Sequence, residues 1–160
     1  MSDGTGAIPA GRVAGVDYGR KRIGIAVCDA GRIIASPLPF HVPAGDEATE
    51  AAFFRGLAAA EEVVGFVVGL PVHADGSPSR MSAEAERFGG WLAAATGLPV
   101  VFHDERYTSV EAAGRLAGLG LSRGKKKART DSIAAQILLT AWMEADAAGT
   151  LTGRPGALDG

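Results

Sequence analysis

Cysteine is almost absent from this chain. The single Cys28 among 160 residues excludes an internal disulfide, and its place in an apolar run suits a buried thiol in a reducing, cytoplasmic setting. Long hydrophobic runs are also missing: 47% of the residues are hydrophobic, yet no stretch approaches the roughly 20 apolar residues of a membrane span. No membrane partner is expected. The leading SDGTGAIPAG has neither the basic nor the apolar region of a secretory signal. An excess of positive charge is lacking too, since a net charge of −2 and a pI near 5.9 argue against a protein that coats nucleic acid through bulk basicity. His41, His73 and His103 have no zinc-ligand spacing among themselves or with Cys28. No G-x-x-x-x-G-K-[ST] loop and no G-x-S-x-G element occurs, which removes P-loop and serine-hydrolase chemistry.

What is present fits one compact domain, expected over residues 12–148 between a disordered leader (1–11) and a flexible tail (149–160). The charge is unevenly spread. Arg20, Lys21 and Arg22 form one basic cluster, and Arg123, Lys125, Lys126, Lys127 and Arg129 form another. Either run in isolation reads as a solvated loop. Both, however, adjoin an aspartate, Asp17 in the first case and Asp131 in the second.

RVAGVDYGRKRIGIAVC, from Arg12 to Cys28, predicts two strands joined by a turn, and Arg32 to Ser36 a third that stops before Pro37. Asp46 to Glu62 carries apolar residues at helical spacing with acids in its first turn. VVGFVVGL, from Val63 to Leu70, is the continuous apolar run of a doubly buried parallel strand. PVHADGSPSRMS is a loop, with Ser79 or Ser82 as cap of a helix that runs to Thr96 and closes at Gly97. LPVVFH predicts a last strand, and helices are expected near Ser109 to Leu119 and Asp131 to Ala147. The sum is an α/β protein whose mixed five-stranded sheet has three antiparallel strands, then two parallel crossovers, with flanking helices.

Three acids stand where a strand ends or a helix begins: Asp17, Glu105 and Asp131. Asp17 lies in an otherwise apolar strand, where an unpaired carboxylate is costly unless a cation or partner compensates it. Glu105 could instead pair with Arg106 or Lys127, and Asp131 could simply cap or begin its helix. Asp104 and Glu111 are further acidic candidates, while Asp29 suits a hairpin turn. Gly19 permits a tight turn or positive φ, and Gly24 leaves room for a close approach of backbone or phosphate. Trp91 and Trp142 read as core or interface anchors, and Tyr107 as either a packing residue or a stacking platform.

GVDYGRKRIGIAV, GLPVHADGSPSRMS, DERYTSVEA and KKKARTDSIAAQILL occur in the order and chemistry of the YqgF family, which the chain resembles from about Val13 to Glu144. The family comprises ribonuclease H-like proteins described both as Holliday-junction resolvases and as nucleases maturing the 5′ end of small-subunit ribosomal RNA precursor. The resemblance implies a ribonuclease H-like fold with Asp17, Glu105 and Asp131 as catalytic acids holding one or two Mg²⁺ or Mn²⁺ ions. It matches Asp75 and Gly76 to the family's DGS signature, where a phosphate could be held, and includes the basic approach to Asp131. Arg20, Lys21, Arg80, Arg106, Lys125, Lys126, Lys127 and Arg129 are the candidate nucleic-acid contacts. Structured RNA, above all pre-16S rRNA, alone or in pre-ribosomal particles, is the expected substrate, with branched DNA as the alternative. A monomer or weak homodimer is expected, since no strong dimer motif is present. A non-catalytic nucleic-acid-binding module would need the acids lost, and an actin-like ATPase would need a second domain.

Overall fold

The computed structural model describes residues 8–71, 79–105 and 130–147. Five strands form one sheet in the order β3-β2-β1-β4-β5: β1 Arg12–Asp17, β2 Ile23–Cys28, β3 Ala35–His41, β4 Val63–Leu70 and β5 Val100–Asp104. The first three pair antiparallel as a meander, whereas β4 joins β1, and β5 joins β4, in parallel. Three helices cover the sheet among the described residues: α1 Glu47–Glu61, α2 Arg80–Thr96 and α3 Thr130–Ala147.

Strand alternation divides the core into two layers. Ala14, Val16, Ile25, Phe66, Val68 and Val100 pack with Phe54 of α1 and Leu92 of α2. The opposite side chains, including Val13, Ala26, Cys28 and Val67, pack under Ala135, Leu138, Leu139 and Trp142 of α3. Gly15 of β1 sets how closely α3 approaches. A Cβ there would stand 2.8 Å from Leu139 Cβ and 3.1 Å from the Ala135 carbonyl oxygen.

Helix ends follow the local chemistry. Asp46 caps α1 by accepting the Thr49 N–H at 2.8 Å, and Ser79 and Ser82 form a reciprocal capping box on α2. Gly97 closes α2 in the left-handed region with φ of 73°. Asp29 belongs to the β2–β3 turn, its Oδ1 accepting the Ile33 and Ile34 N–H groups at 2.7 and 2.8 Å.

One expectation needs correction. The third strand does not stop before Pro37 but starts later and runs through it, with Pro37 opposite Ala26 and Leu38 opposite Ile25. β3 is an edge strand, where a residue without an N–H is tolerated and also discourages pairing with another sheet. Arg32 donates to the carbonyls of Pro9 and Gly11, and Ile8 fills the space above Gly65.

Candidate active site

The carboxyl-terminal edge of the parallel strands carries the acids. In β1, Val13 and Gly15 face α3 while Ala14 and Val16 face the other layer, so alternation places Asp17 on the α3 side. Directly opposite Asp17 is Gly24 of β2, on the same side as Ala26 and Cys28. On the other flank, Val16 pairs with Val68, which sets Gly69 beside Asp17. Gly69 shares the face of Val67, and Glu105, just beyond β5, shares that of Val101.

Glu105 does not point away from this row. Its Oε2 stands 2.7 Å from the position a Cβ on Gly69 would take, with its Cγ at 3.2 Å and its Cδ at 3.3 Å. The carboxylate is folded back over β4 into space that only glycine leaves open. Glycine and acid therefore alternate across four strands, as Gly24, Asp17, Gly69 and Glu105.

α3 brings Asp131 to the same edge. Arg32, bonded to the Gly11 carbonyl at the start of β1, stacks on Trp142 and pairs with Asp146 at 3.6 Å, so α3 runs antiparallel to β1. Ala135 and Leu139 lie over Gly15. One helical turn back from Ala135, about 6 Å, matches the two-residue advance from Gly15 to Asp17, about 6.6 Å. The backbone of Asp131 is thus level with Asp17, near the N-terminus of α3. Asp131 has no described side chain. Among the residues that do, no three His, Cys, Asp or Glu groups form a metal-binding cluster.

Burial, and then the negative charge of Asp104, push the Glu105 carboxyl above its ordinary range. A cation would oppose both effects. Carboxylate oxygens are the donors that a hard divalent ion such as Mg²⁺ or Mn²⁺ takes.

Other predicted residues are distributed differently. Arg20 forks onto Glu84 of α2, its Nε donating to Oε1 at 2.9 Å, and so lies on the face away from Asp17. Lys21 is exposed in the β1–β2 turn and Arg80 exposed at the start of α2. Gly19 does not adopt positive φ, but a Cβ there would collide with the Arg22 carbonyl oxygen at 2.5 Å, so the tight turn requires glycine. Asp75, Gly76, Arg106, Tyr107, Glu111, Arg123, Lys125, Lys126, Lys127 and Arg129 lie outside the described residues. Sequence reasoning missed Gly69, because a glycine inside VVGFVVGL looks like any other small residue of a buried strand.

The family described as "RuvX: Holliday junction resolvase" matches residues 11–145. The chain belongs to this family. Among curated relatives, "Putative pre-16S rRNA nuclease" of Rhodopirellula baltica is 45% identical over 135 residues, covering 84% of this chain and 78% of the relative. The protein of the same name from Dechloromonas aromatica is 40% identical over 134 residues, covering 84% and 91%. Among solved structures, RuvC of T. thermophilus in complex with a Holliday junction substrate superposes with a TM-score of 0.52 at 19% identity, covering 86% of this chain and 96% of that one. That likeness is one of fold, and the fold is ribonuclease H-like.

Proposed function

We propose that this member of the RuvX family is an endonuclease that hydrolyses phosphodiester bonds at the Asp17 edge of the sheet, acting on the 5′ leader of the small-subunit ribosomal RNA precursor. The observation that carries the reading is the row of Gly24, Asp17, Gly69 and Glu105, with the start of α3 level with it. Gly24 and Gly69 add no side chain of their own on either flank of Asp17, and Gly69 leaves the space that the Glu105 carboxylate takes. Asp17, Glu105 and Asp131 would hold Mg²⁺ or Mn²⁺, which when bound lowers the pKa of water and neutralises charge on the phosphate. Asp17 sits between the two glycines and so faces the reacting phosphate. Glu105 approaches from β5, and Asp131 from the helix start, where the N-terminal dipole also favours an anion. The basic run Lys125, Lys126, Lys127 and Arg129, directly before Asp131 in sequence, would grip the nucleic-acid backbone without reading bases. The pre-16S assignment follows the names of the relatives at 45% and 40% identity.

Junction cleavage is the second reading, favoured by the family's own description. A four-way junction has two equivalent strands, so paired cutting calls for a two-fold dimer. Purified protein assayed on precursor leader RNA, a four-way DNA junction and single strands, with Mg²⁺, Mn²⁺ or EDTA, separates the two. Metal-dependent cleavage of the RNA, abolished in Asp17→Asn, is expected. Paired symmetric nicks in the junction with intact RNA would assign the protein to recombination instead, and no cleavage of any substrate would overturn both readings.

A further inference from the structure

The same sheet edge carries a second concavity on the face away from the acids. A cavity of about 440 Å³ opens between the β1–β2 turn, the first turn of α1 and the helix α2. Small-ligand pockets span roughly 300–1,000 Å³. Its floor is a continuous aromatic surface: the Tyr18 ring centroid is 4.8 Å from that of Phe88, and Phe88 is 5.9 Å from Trp91, with interplanar angles of 30° and 33°. All three rings line the cavity and are only half-buried. Around the rim, the Arg20–Glu84 pair neutralises itself. Two further wall acids are engaged locally, Asp46 on the Thr49 N–H and Glu50 on His41 and the Ala44 N–H. Arg87 and Glu47 complete the wall with a donor fork and a carboxylate acceptor.

Tyr18 follows Asp17 directly, and strand alternation sends their side chains to opposite faces. A nucleic-acid strand whose phosphodiester rests on Asp17 can therefore pass over the sheet edge toward the cavity, because Tyr18 in its floor is the next residue of the chain. We propose that this cavity binds one unpaired nucleobase adjacent to the cleaved bond, stacked on the Tyr18, Phe88 and Trp91 floor. The proposal rests on the nuclease reading and deepens it. The aromatic floor supplies stacking that every base can use, and Glu47 and Arg87 supply an acceptor and donors for a base edge. A base held in a duplex cannot enter, so the cavity would require single-stranded character beside the cut.

The test uses the full chain and a set of RNA duplexes with single-stranded 5′ extensions, each carrying one abasic position, with affinity measured by anisotropy in EDTA. Loss of the base at one position beside the cleaved bond should weaken binding roughly tenfold, in the range of a lost base–aromatic stack. Abasic sites elsewhere should have little effect. Trp91→Leu should weaken the intact RNA similarly and erase the penalty at that one position, while Trp91→Phe retains it, because the two losses report one interaction. The abasic probes leave the protein unaltered, so the proposal does not depend on how well Trp91→Leu folds. Equal affinity for every abasic RNA would overturn it. Cleavage of the same RNAs with Mg²⁺ is measured separately: cleavage without a positional penalty refutes the cavity assignment and leaves the nuclease reading standing. Neither binding nor cleavage refutes both. Tight binding of an arginine-rich peptide that Trp91→Leu abolishes, with no abasic penalty, would give the cavity to a basic polypeptide.

Discussion

Replacing Gly69 by alanine adds a single methyl group to the strand between Asp17 and Glu105. That methyl would meet three atoms of Glu105, with Oε2 the closest at 2.7 Å. To relax to an ordinary contact of 3.4 Å, the carboxylate oxygen must retreat by about 0.7 Å, and its Cγ and Cδ, at 3.2 and 3.3 Å, must shift with it. All three belong to one side chain at the end of β5, which can move without displacing the core. The stability effect should be small: overpacking costs about 1–3 kcal/mol, partly offset by the ~0.5–1 kcal/mol by which alanine exceeds glycine inside an element. With about 2–4 °C of Tm per kcal/mol at this size, Tm should fall by no more than roughly 10 °C. Activity should suffer more, because a misplacement of about 1 Å in a reacting constellation costs up to ~10²-fold. The expected outcome is a 10- to 100-fold lower kcat/KM in Mg²⁺, with a cooperative thermal transition retained. Gly69→Ala protein with activity within twofold of the parent would refute the claim that this glycine exists to seat Glu105.

Four other outcomes follow from the same geometry. Asp17→Asn keeps the shape of the side chain and removes its charge, so hydrolysis should fall by orders of magnitude with the circular dichroism spectrum unchanged. Gly15→Ala forces a Cβ against Leu139 and the Ala135 backbone, so α3 must lift from β1 and chemical denaturation should show a loss of about 1–3 kcal/mol. Asp29 is held below the ordinary carboxylate range by the Ile34 and Ile33 N–H groups, so its stabilisation is complete above about pH 4 and is lost as pH falls through its folded pKa; Asp29→Asn should show a shallower loss of Tm on acidification. Replacing Lys125, Lys126 and Lys127 by alanine should weaken binding to unrelated RNA sequences alike and flatten its logarithmic salt dependence by about 0.7–0.9 per lost contact, measured by titration at several salt concentrations.

Much of this architecture was legible because local chemistry and tertiary structure agree. Asp46, Ser79 and Gly97 mark helix ends by mechanisms that act within a few residues, and each stands where that chemistry requires it. VVGFVVGL is a central strand because a continuous apolar run needs cover on both faces, which β1 and β5 at its sides and helices above and below supply. β3 departs from the sequence expectation for the opposite reason. Pro37 signals the end of a strand only if the missing N–H was needed, and whether it is needed depends on sheet order, a long-range property absent from ASPLPFH itself.

The acids and the glycines differ in the same way. Asp17 announces itself, since a carboxylate in an apolar strand demands compensation wherever the strand lies. Gly69 announces nothing, because its importance is the Glu105 side chain, which arrives from β5, 36 positions later in the sequence. Arg20 shows the converse, a basic residue beside the key aspartate in sequence that the pleat carries to the other face and into Glu84. Sequence adjacency thus groups Asp17, Tyr18 and Arg20, and strand alternation separates them into two environments at one edge. The acid side must leave space for the Glu105 carboxylate beside Asp17, which accounts for glycine at position 69. The aromatic side has no such requirement, and there the bulky rings of Tyr18, Phe88 and Trp91 collect.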